Sequence, residues 1–222
     1  GAGFDTLRVN ASDQTERVTF WQGLSGGIQY AVNSESGDYW VRAYEIEALD
    51  LTGGTGDDLI NTLDLAASVR GGDGIDHWFS DYSAAVADIV FTLGVTTSLA
   101  QVGLSRIEGV EQMNFRSGAG DDVITGGAYD DDIHGGAGDD IIDARTQSGG
   151  ADDVFGGAGT DTLVVDAAAE TERVTFFPGL SGGIQYSVTS ESGNFWVRAY
   201  EIEILNLTGG SGDDVINTVA LP

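Results

Sequence analysis

Seven aspartates in this chain stand behind short glycine-rich runs: Asp58, Asp76, Asp122, Asp131, Asp140, Asp153 and Asp161. The clearest runs are Gly53-Gly54-Thr55-Gly56-Asp57-Asp58 and Gly135-Gly136-Ala137-Gly138-Asp139-Asp140. Glycine lets a loop curl its carbonyls inward, and the acid adds a carboxylate to that ring of oxygens. An all-oxygen set of this kind suits Ca²⁺, a hard cation that takes six to eight carboxylate, carbonyl and water ligands. Zinc prefers Cys and His, and the chain has no Cys and only two His, His77 and His134, which read as plain strand residues.

Each of these acids, and Asp214 after a further such run, is followed by an apolar residue two positions on: Ile60, Trp78, Ile124, Ile133, Ile142, Phe155, Leu163 and Ile216. The unit is therefore nine residues, Gly-Gly-x-Gly-x-Asp-x-apolar-x, a turn followed by a short strand whose eighth residue points into a thin core. Nine residues make half a coil, so turns two units apart stack. Asp58 and Asp76 are separated by 76 − 58 = 18, and Asp122 and Asp140 by 140 − 122 = 18. Between the first two lies a degenerate unit, Thr62 to Arg70, with Ala67 in the acid's place and Val69 in the apolar slot. The fifth-position acids Asp57, Asp121, Asp130, Asp139 and Asp152 are expected to face water and to contribute field rather than bonds.

A larger repeat overlies the small one. Residues 1–62 recur as residues 157–218 at a constant offset of 156, and roughly three quarters of the aligned positions agree. Both ends fall inside repeats, so the chain reads as a piece of a longer tandem array. Three segments without the glycine pattern interrupt the roll. Residues 10–52 and 166–208 are the duplicated pair, and residues 80–116 share their layout. Runs such as Val18-Thr19-Phe20-Trp21 and Tyr39-Trp40-Val41-Arg42-Ala43-Tyr44, broken by Gly and Ser, predict β-hairpins. Each segment returns through a similar phrase, Ile46 to Thr52, Ile107 to Phe115 or Ile202 to Thr208. Helix finds no 3.6-residue period to support it, apart from a short turn at Leu63 to Ser68. The predicted organisation is the end of a turn at 1–9, an excursion at 10–52, roll at 53–79, an excursion at 80–116, roll at 117–165, an excursion at 166–208, and the start of a further block at 209–222.

The formal charge is −27, and all nine cations are Arg. Self-repulsion of that size opposes compaction without metal, so metal binding becomes folding free energy. Nucleic acid is excluded as a partner, because phosphate would be repelled. No run reaches the ~18 apolar residues of a membrane span. Neither an HExxH helix nor a Gly-x-Ser-x-Gly elbow is present, and no Cys or His is partnered for nucleophilic work. Catalysis within these residues is not expected. Trp21, Trp40, Trp78 and Trp196 could stack on sugars, but strand packing is the stronger expectation for Trp40 and Trp196. Arg42 and Arg198 are expected to pair with Glu45, Glu47, Glu201 and Glu203 on a solvated face.

The nonapeptides resemble the repeats-in-toxin (RTX) family of secreted bacterial calcium-binding proteins. The resemblance implies an all-β fold: a right-handed parallel β-roll, a calcium-binding solenoid, interrupted here by β-hairpin or β-sandwich-like excursions. It also implies several Ca²⁺ ions, type I secretion and folding outside the cell. The near-identical long repeat and the absence of catalytic groupings point to a secreted or cell-surface adhesin or S-layer protein, with extracellular polysaccharide a candidate partner. The alternative is the non-catalytic tail of a secreted protease, lipase or polysaccharide epimerase. In that family the earlier turn of a stack supplies carbonyls from its second and fourth positions, the later one from its first and third, and both supply the Asp. Carried over, Gly54, Gly56 and Asp58 join Gly71, Asp73 and Asp76. Gly118, Gly120 and Asp122 join Gly135, Ala137 and Asp140. Gly136, Gly138 and Asp140 join Gly156, Ala158 and Asp161, and Gly127, Tyr129 and Asp131 join Ser148, Gly150 and Asp153. An insertion at Ala144 to Gln147 disturbs the last two sets, and Asp5 and Asp214 either lack a partner or pair across an excursion.

Overall fold

A computed structural model describes residues 2–22, 29–93, 98–99, 106–144, 150–178, 186–193 and 195–217. Among these, every regular element is a strand. In chain order they are β1 (Thr6–Asn10), β2 (Val18–Gln22), β3 (Tyr30–Ser34), β4 (Trp40–Ala43), β5 (Ala48–Thr52), β6 (Leu59–Asn61), β7 (Ala66–Arg70), β8 (His77–Asp81), β9 (Val90–Thr92), β10 (Ser98–Leu99) and β11 (Arg106–Glu108). They continue as β12 (Gln112–Arg116), β13 (Val123–Thr125), β14 (Asp132–Ala137), β15 (Ile141–Asp143), β16 (Ala151–Ala158), β17 (Thr162–Asp166), β18 (Val174–Pro178), β19 (Tyr186–Ser190), β20 (Trp196–Tyr200), β21 (Ile204–Thr208) and β22 (Val215–Ile216). The chain forms two compact units, residues 1–82 with 91–114 and residues 83–90 with 115–222.

In the first unit the repeat strands alternate between two sheets. β5 and β7 lie parallel in one, Ala48 opposite Ala66; β6 and β8 lie parallel in the other, Leu59 opposite His77. Both offsets are 18, so one coil is two nonapeptides. The second unit repeats this, with β13 and β15 parallel in one sheet and β14 and β16 parallel in the other. This is a parallel β-roll. Its first offset is 18, Val123 to Ile141. The next are 21, Asp132 to Asp153 and Ile141 to Thr162. The three extra residues sit in the connection between β15 and β16, so the insertion lengthens one loop and leaves the strands in register.

Alternation sets the core. Ile60, Val69, Trp78, Ile107, Ile124, Ile133, Ile142 and Leu163 are buried while their strand neighbours are half-exposed or exposed. Trp78 stays buried by donating its indole N–H to Thr62 Oγ1 at 2.9 Å and packing on Phe91. Phe155 departs from the expected pattern: Val154 points inward there, and Phe155 lies half-exposed on the outer face. Parallel register places it between His134 and Tyr200, and the three rings stack at 4.3 and 4.4 Å. His134 is thus an aromatic rung, as is His77, stacked on Phe79. Ile216, in the last described strand, is exposed. The stretch after Thr62 is a turn at Leu63 and Asp64 and then β7, with no helix, and Ala67 and Val69 both face the core.

The duplicated excursions are antiparallel meanders, each added to the edge of a roll strand. β2, β3 and β4 pair in sequence, and β2 also lies parallel to β6. β18, β19 and β20 do the same, and β20 lies parallel to β16. The middle segment contributes β11, which is parallel to β7 and antiparallel to β10.

Candidate metal centre

A turn of the roll brings the backbone of one nonapeptide against the turn one coil away, and sequence dictates how closely. A β-carbon at Gly72 would strike the carbonyl of Gly54, one at Gly136 that of Gly118, and one at Gly157 that of Gly136. Fourth positions repeat this, with Gly138 against the Gly120 carbonyl and Gly159 against that of Gly138. Gly136 and Gly138 also need φ of 109° and 123°, which only glycine adopts freely. Carbonyls of the second and fourth positions therefore face the next turn. First-position carbonyls face back: Gly71 O toward Gly53, and Gly156 O toward Gly135.

The sixth-position acids stack in the same way. Asp58 N–H donates to Asp76 Oδ1 at 2.8 Å, Asp122 N–H to Asp140 Oδ1 at 2.8 Å, and Asp140 N–H to Asp161 Oδ1 at 2.9 Å. All five of these acids are buried. Burial, with like charge from neighbouring acids, pushes Asp76 up to about 7 and Asp140 up to about 6. Asp58 and Asp161 are raised by burial first as well. The second oxygens of Asp76, Asp140 and Asp161 are buried without a hydrogen-bond partner. At Gly135 the point where a β-carbon would stand lies within 3.0 Å of both Asp140 Oδ2 and Gly156 O. Two acceptors converging out of water is costly unless a cation satisfies them.

Three of the four residue sets are brought together in this way. Asp73 N–H reaches Gly54 O at 3.1 Å, Ala137 N–H reaches Gly118 O at 2.9 Å, and Gly138 N–H reaches Ala158 O at 2.9 Å. The fourth set needs correction. Asp131 N–H donates to Asp152 Oδ1 at 3.0 Å, Asp152 is buried, and burial pushes it up to about 8. Asp152 therefore holds the sixth position. Asp153, counted there from the sequence, is the next strand residue and pairs with Arg198. Gly150 accordingly stacks on Tyr129 at the fourth position, Gly127 N–H bonds Asp131 Oδ2 at 2.5 Å, and Ser148 lies outside the described residues. Tyr129 keeps an ordinary backbone conformation, so its side chain projects outward without strain.

The fifth-position acids make bonds as well as field. Asp57 Oδ1 accepts the Ile75 N–H at 2.9 Å, Asp121 Oδ1 that of Asp139 at 2.9 Å, Asp139 Oδ1 that of Thr160 at 2.8 Å, and Asp130 Oδ1 that of Ala151 at 2.8 Å. Each exposed carboxylate ties its turn to the next coil. Sequence reasoning missed these ties; it also assigned Glu47 and Glu203 to arginine pairs and gave Glu111 no bond. The carboxylates of Glu47, Glu111 and Glu203 accept the N–H of Asp5 at 2.8 Å, Asp76 at 2.9 Å and Asp161 at 2.8 Å. The shared Ile/Val-Glu phrase was the available signal. Asp5 and Asp214 bond to residues within the excursions: the Asp5 N–H donates to Glu47 in the return phrase, and Asp214 Oδ1 accepts the Val174 N–H at 3.0 Å.

Among the described residues no group of three or more His, Cys, Asp or Glu side chains forms a metal cluster. The oxygen set instead mixes two acids with backbone carbonyls, a composition that fits Ca²⁺ and not a transition metal. Asp58 with Asp76, Asp122 with Asp140, Asp140 with Asp161, and Asp131 with Asp152 would hold it, and the ion would supply the positive charge that these buried acids lack.

Fold and turns together define a calcium-binding parallel β-roll. The family profile for the RTX calcium-binding nonapeptide repeat matches four copies, over residues 116–147, 148–164 and 206–218. Over those residues the chain is similar to RTX calcium-binding repeats, which supports calcium as the ion of the turns. No curated protein matches it at a significant level. The turns at Gly53–Asp58 and Gly71–Asp76 lie outside the matched stretches and carry the same bonds.

Proposed function

We propose that this chain is a calcium-folded structural segment of a secreted or cell-surface bacterial protein of the adhesin or S-layer kind, with no catalytic role of its own. The carrying observation is the buried, unpartnered Oδ2 of Asp76, Asp140 and Asp161 beside inward carbonyls. A chain of formal charge −27 folds around such oxygens when divalent cation neutralises them. Extracellular calcium modules work at ~10⁻⁴–10⁻³ M, so leaving a low-calcium compartment would switch folding on. The near-identical long repeat supports a scaffold over a compact enzyme. Calcium titration followed by circular dichroism tests the reading: a cooperative gain of β signal is expected, reversed by EGTA and not reproduced by magnesium. A chain fully folded in EGTA at neutral pH would refute it.

A second reading rests on Trp21, Trp40 and Trp196, which are exposed on the meanders at 41%, 56% and 43%. Arg42 lies 3.8 Å over the Trp40 ring. Exposed aromatic faces suit polysaccharide, and a calcium-dependent hit on a glycan array, lost in Trp40→Ala, would establish it.

A further inference from the structure

The phrases that end the excursions are built like turns of the roll. In an internal stack the N–H of the earlier sixth-position acid donates to the later acid, and the residue after the later acid donates to the earlier acid's carbonyl. Asp58 N–H to Asp76 and His77 N–H to Asp58 O at 2.9 Å illustrate both bonds. Glu111 and Glu203 stand in the later acid's place. Asp76 N–H donates to Glu111 Oε2 and Gln112 N–H to Asp76 O at 3.0 Å. Asp161 N–H donates to Glu203 Oε2 and Ile204 N–H to Asp161 O at 2.9 Å.

Carbonyls follow the same plan. At Gly71 the β-carbon point lies within 3.0 Å of both Gly109 O and Asp76 Oδ2; at Gly156 it lies within 3.0 Å of both Glu201 O and Asp161 Oδ2. Internal stacks place Gly71 O with Asp58 Oδ2, and Gly156 O with Asp140 Oδ2, at the corresponding points. Gly109 and Glu201 reach these places through left-handed conformations, φ 55° and 54°. A glutamate held there in a conformation that L-residues avoid shows how firmly the phrase is fixed. Asp76 and Asp161 are fully buried, and the Oδ2 of each, with no hydrogen-bond partner, is aimed at a carbonyl of the return phrase.

We propose that Asp76, Gly109 O and Glu111 form one further calcium site, and that Asp161, Glu201 O and Glu203 form another, each joining the last nonapeptide before an excursion to the phrase that closes it. Glutamate, one methylene longer than aspartate, spans the gap left by a return loop that keeps only part of the nonapeptide turn. The excursions are thus clamped at their exits by the same ion that clamps the coils. This rests on the calcium reading above.

The test counts ions. Equilibrium dialysis of the full chain at millimolar calcium is compared with that of the Glu111→Gln/Glu203→Gln double variant. Glutamine keeps an oxygen for the Asp76 and Asp161 N–H groups, so the fold is expected to persist by circular dichroism. The variant is expected to retain two fewer ions per chain. An unchanged count with unchanged affinity would overturn the proposal while leaving the internal sites standing. Wild type binding no calcium would remove both readings. Should the variant fail to fold, anomalous scattering from wild-type crystals grown in calcium decides: a peak between Asp76 and Glu111 supports the site, and its absence there overturns it.

Discussion

Strands β4 and β20 share the sequence Trp-Val-Arg-Ala 156 residues apart, and their surroundings differ. β20 lies parallel to β16, so Trp196 N–H donates to Gly150 O at 2.8 Å, Arg198 pairs with Asp153, and Val197 is buried. β4 pairs on one side with β3, Val41 is half-exposed, and Arg42 folds over Trp40. At the other end of the repeat the asymmetry reverses. β6 is covered by β8 and Ile60 is fully buried, whereas its counterpart Ile216 in β22 is 56% exposed. Each copy is buried where a nonapeptide strand lies against it. The meander's own sequence folds the hairpins; the neighbouring coil decides what they are worth.

The largest contrast is expected between Asp58→Asn and Asp214→Asn, the same substitution at equivalent positions. Asp58 is stacked on Asp76, so its loss should lower calcium affinity at that stack about tenfold or more, the effect of removing one hard anionic ligand, read by isothermal titration. Asp214, half-exposed with Val174 N–H on its Oδ1, should change affinity little. Equal effects would break the comparison. Ile60→Ala should then cost about 3 kcal/mol in calcium-saturated denaturation, and Ile216→Ala under ~1 kcal/mol.

The acids of covered turns also set a pH response. In the cation-free chain Asp76, Asp140 and Asp152 sit at about 7, about 6 and about 8, raised chiefly by burial, against an unfolded value of ~4. Raised folded values mean that the fold binds protons more tightly than the coil does. That stabilisation is complete below pH ~4 and is lost as pH climbs through the 6–8 window. Cation-free protein should show more β signal at pH 5 than at pH 8.5, and saturating calcium should invert the order, because protons compete for its oxygens. A flat cation-free profile would contradict the burial of these acids.

Smaller effects sharpen the edge contrast. Arg198→Ala should cost about 1 kcal/mol through its part-buried pair with Asp153, and Arg42→Ala a few tenths. Glu45→Gly and Glu201→Gly should each raise stability by under ~1 kcal/mol, since both residues hold left-handed backbones at φ 53° and 54°. Here the two copies should agree, because the strain is local.

The nonapeptide period carried the coil, the alternation between sheets and three of the four acid pairs, because glycine positions and an apolar residue two beyond each acid leave one workable register. It failed at Asp152 and Asp153. Two adjacent acids beside an insertion permit either count, and Val154 and Phe155 are both apolar enough for the core slot. Pairing with Arg198 and the His134–Phe155–Tyr200 stack, both made to distant strands, resolve the choice. The turn-like role of Glu47, Glu111 and Glu203 was not legible because their loops lack the Gly-Gly-x-Gly run that marks a turn, Gly109 alone standing near Glu111. Exposed Asp57, Asp121, Asp130 and Asp139 looked like solvated charge, since a side chain reaching the next coil's backbone leaves no local trace.

One coil of this roll stores 18 residues within a single inter-strand spacing of about 4.8 Å. Drawn out, the same 18 residues reach roughly 60 Å. Shedding a coil under tension would therefore lengthen the molecule more than tenfold over that step, and the load would fall first on the turn oxygens. Chelation would then set how much slack a tether made of such coils pays out before its neighbours feel the strain.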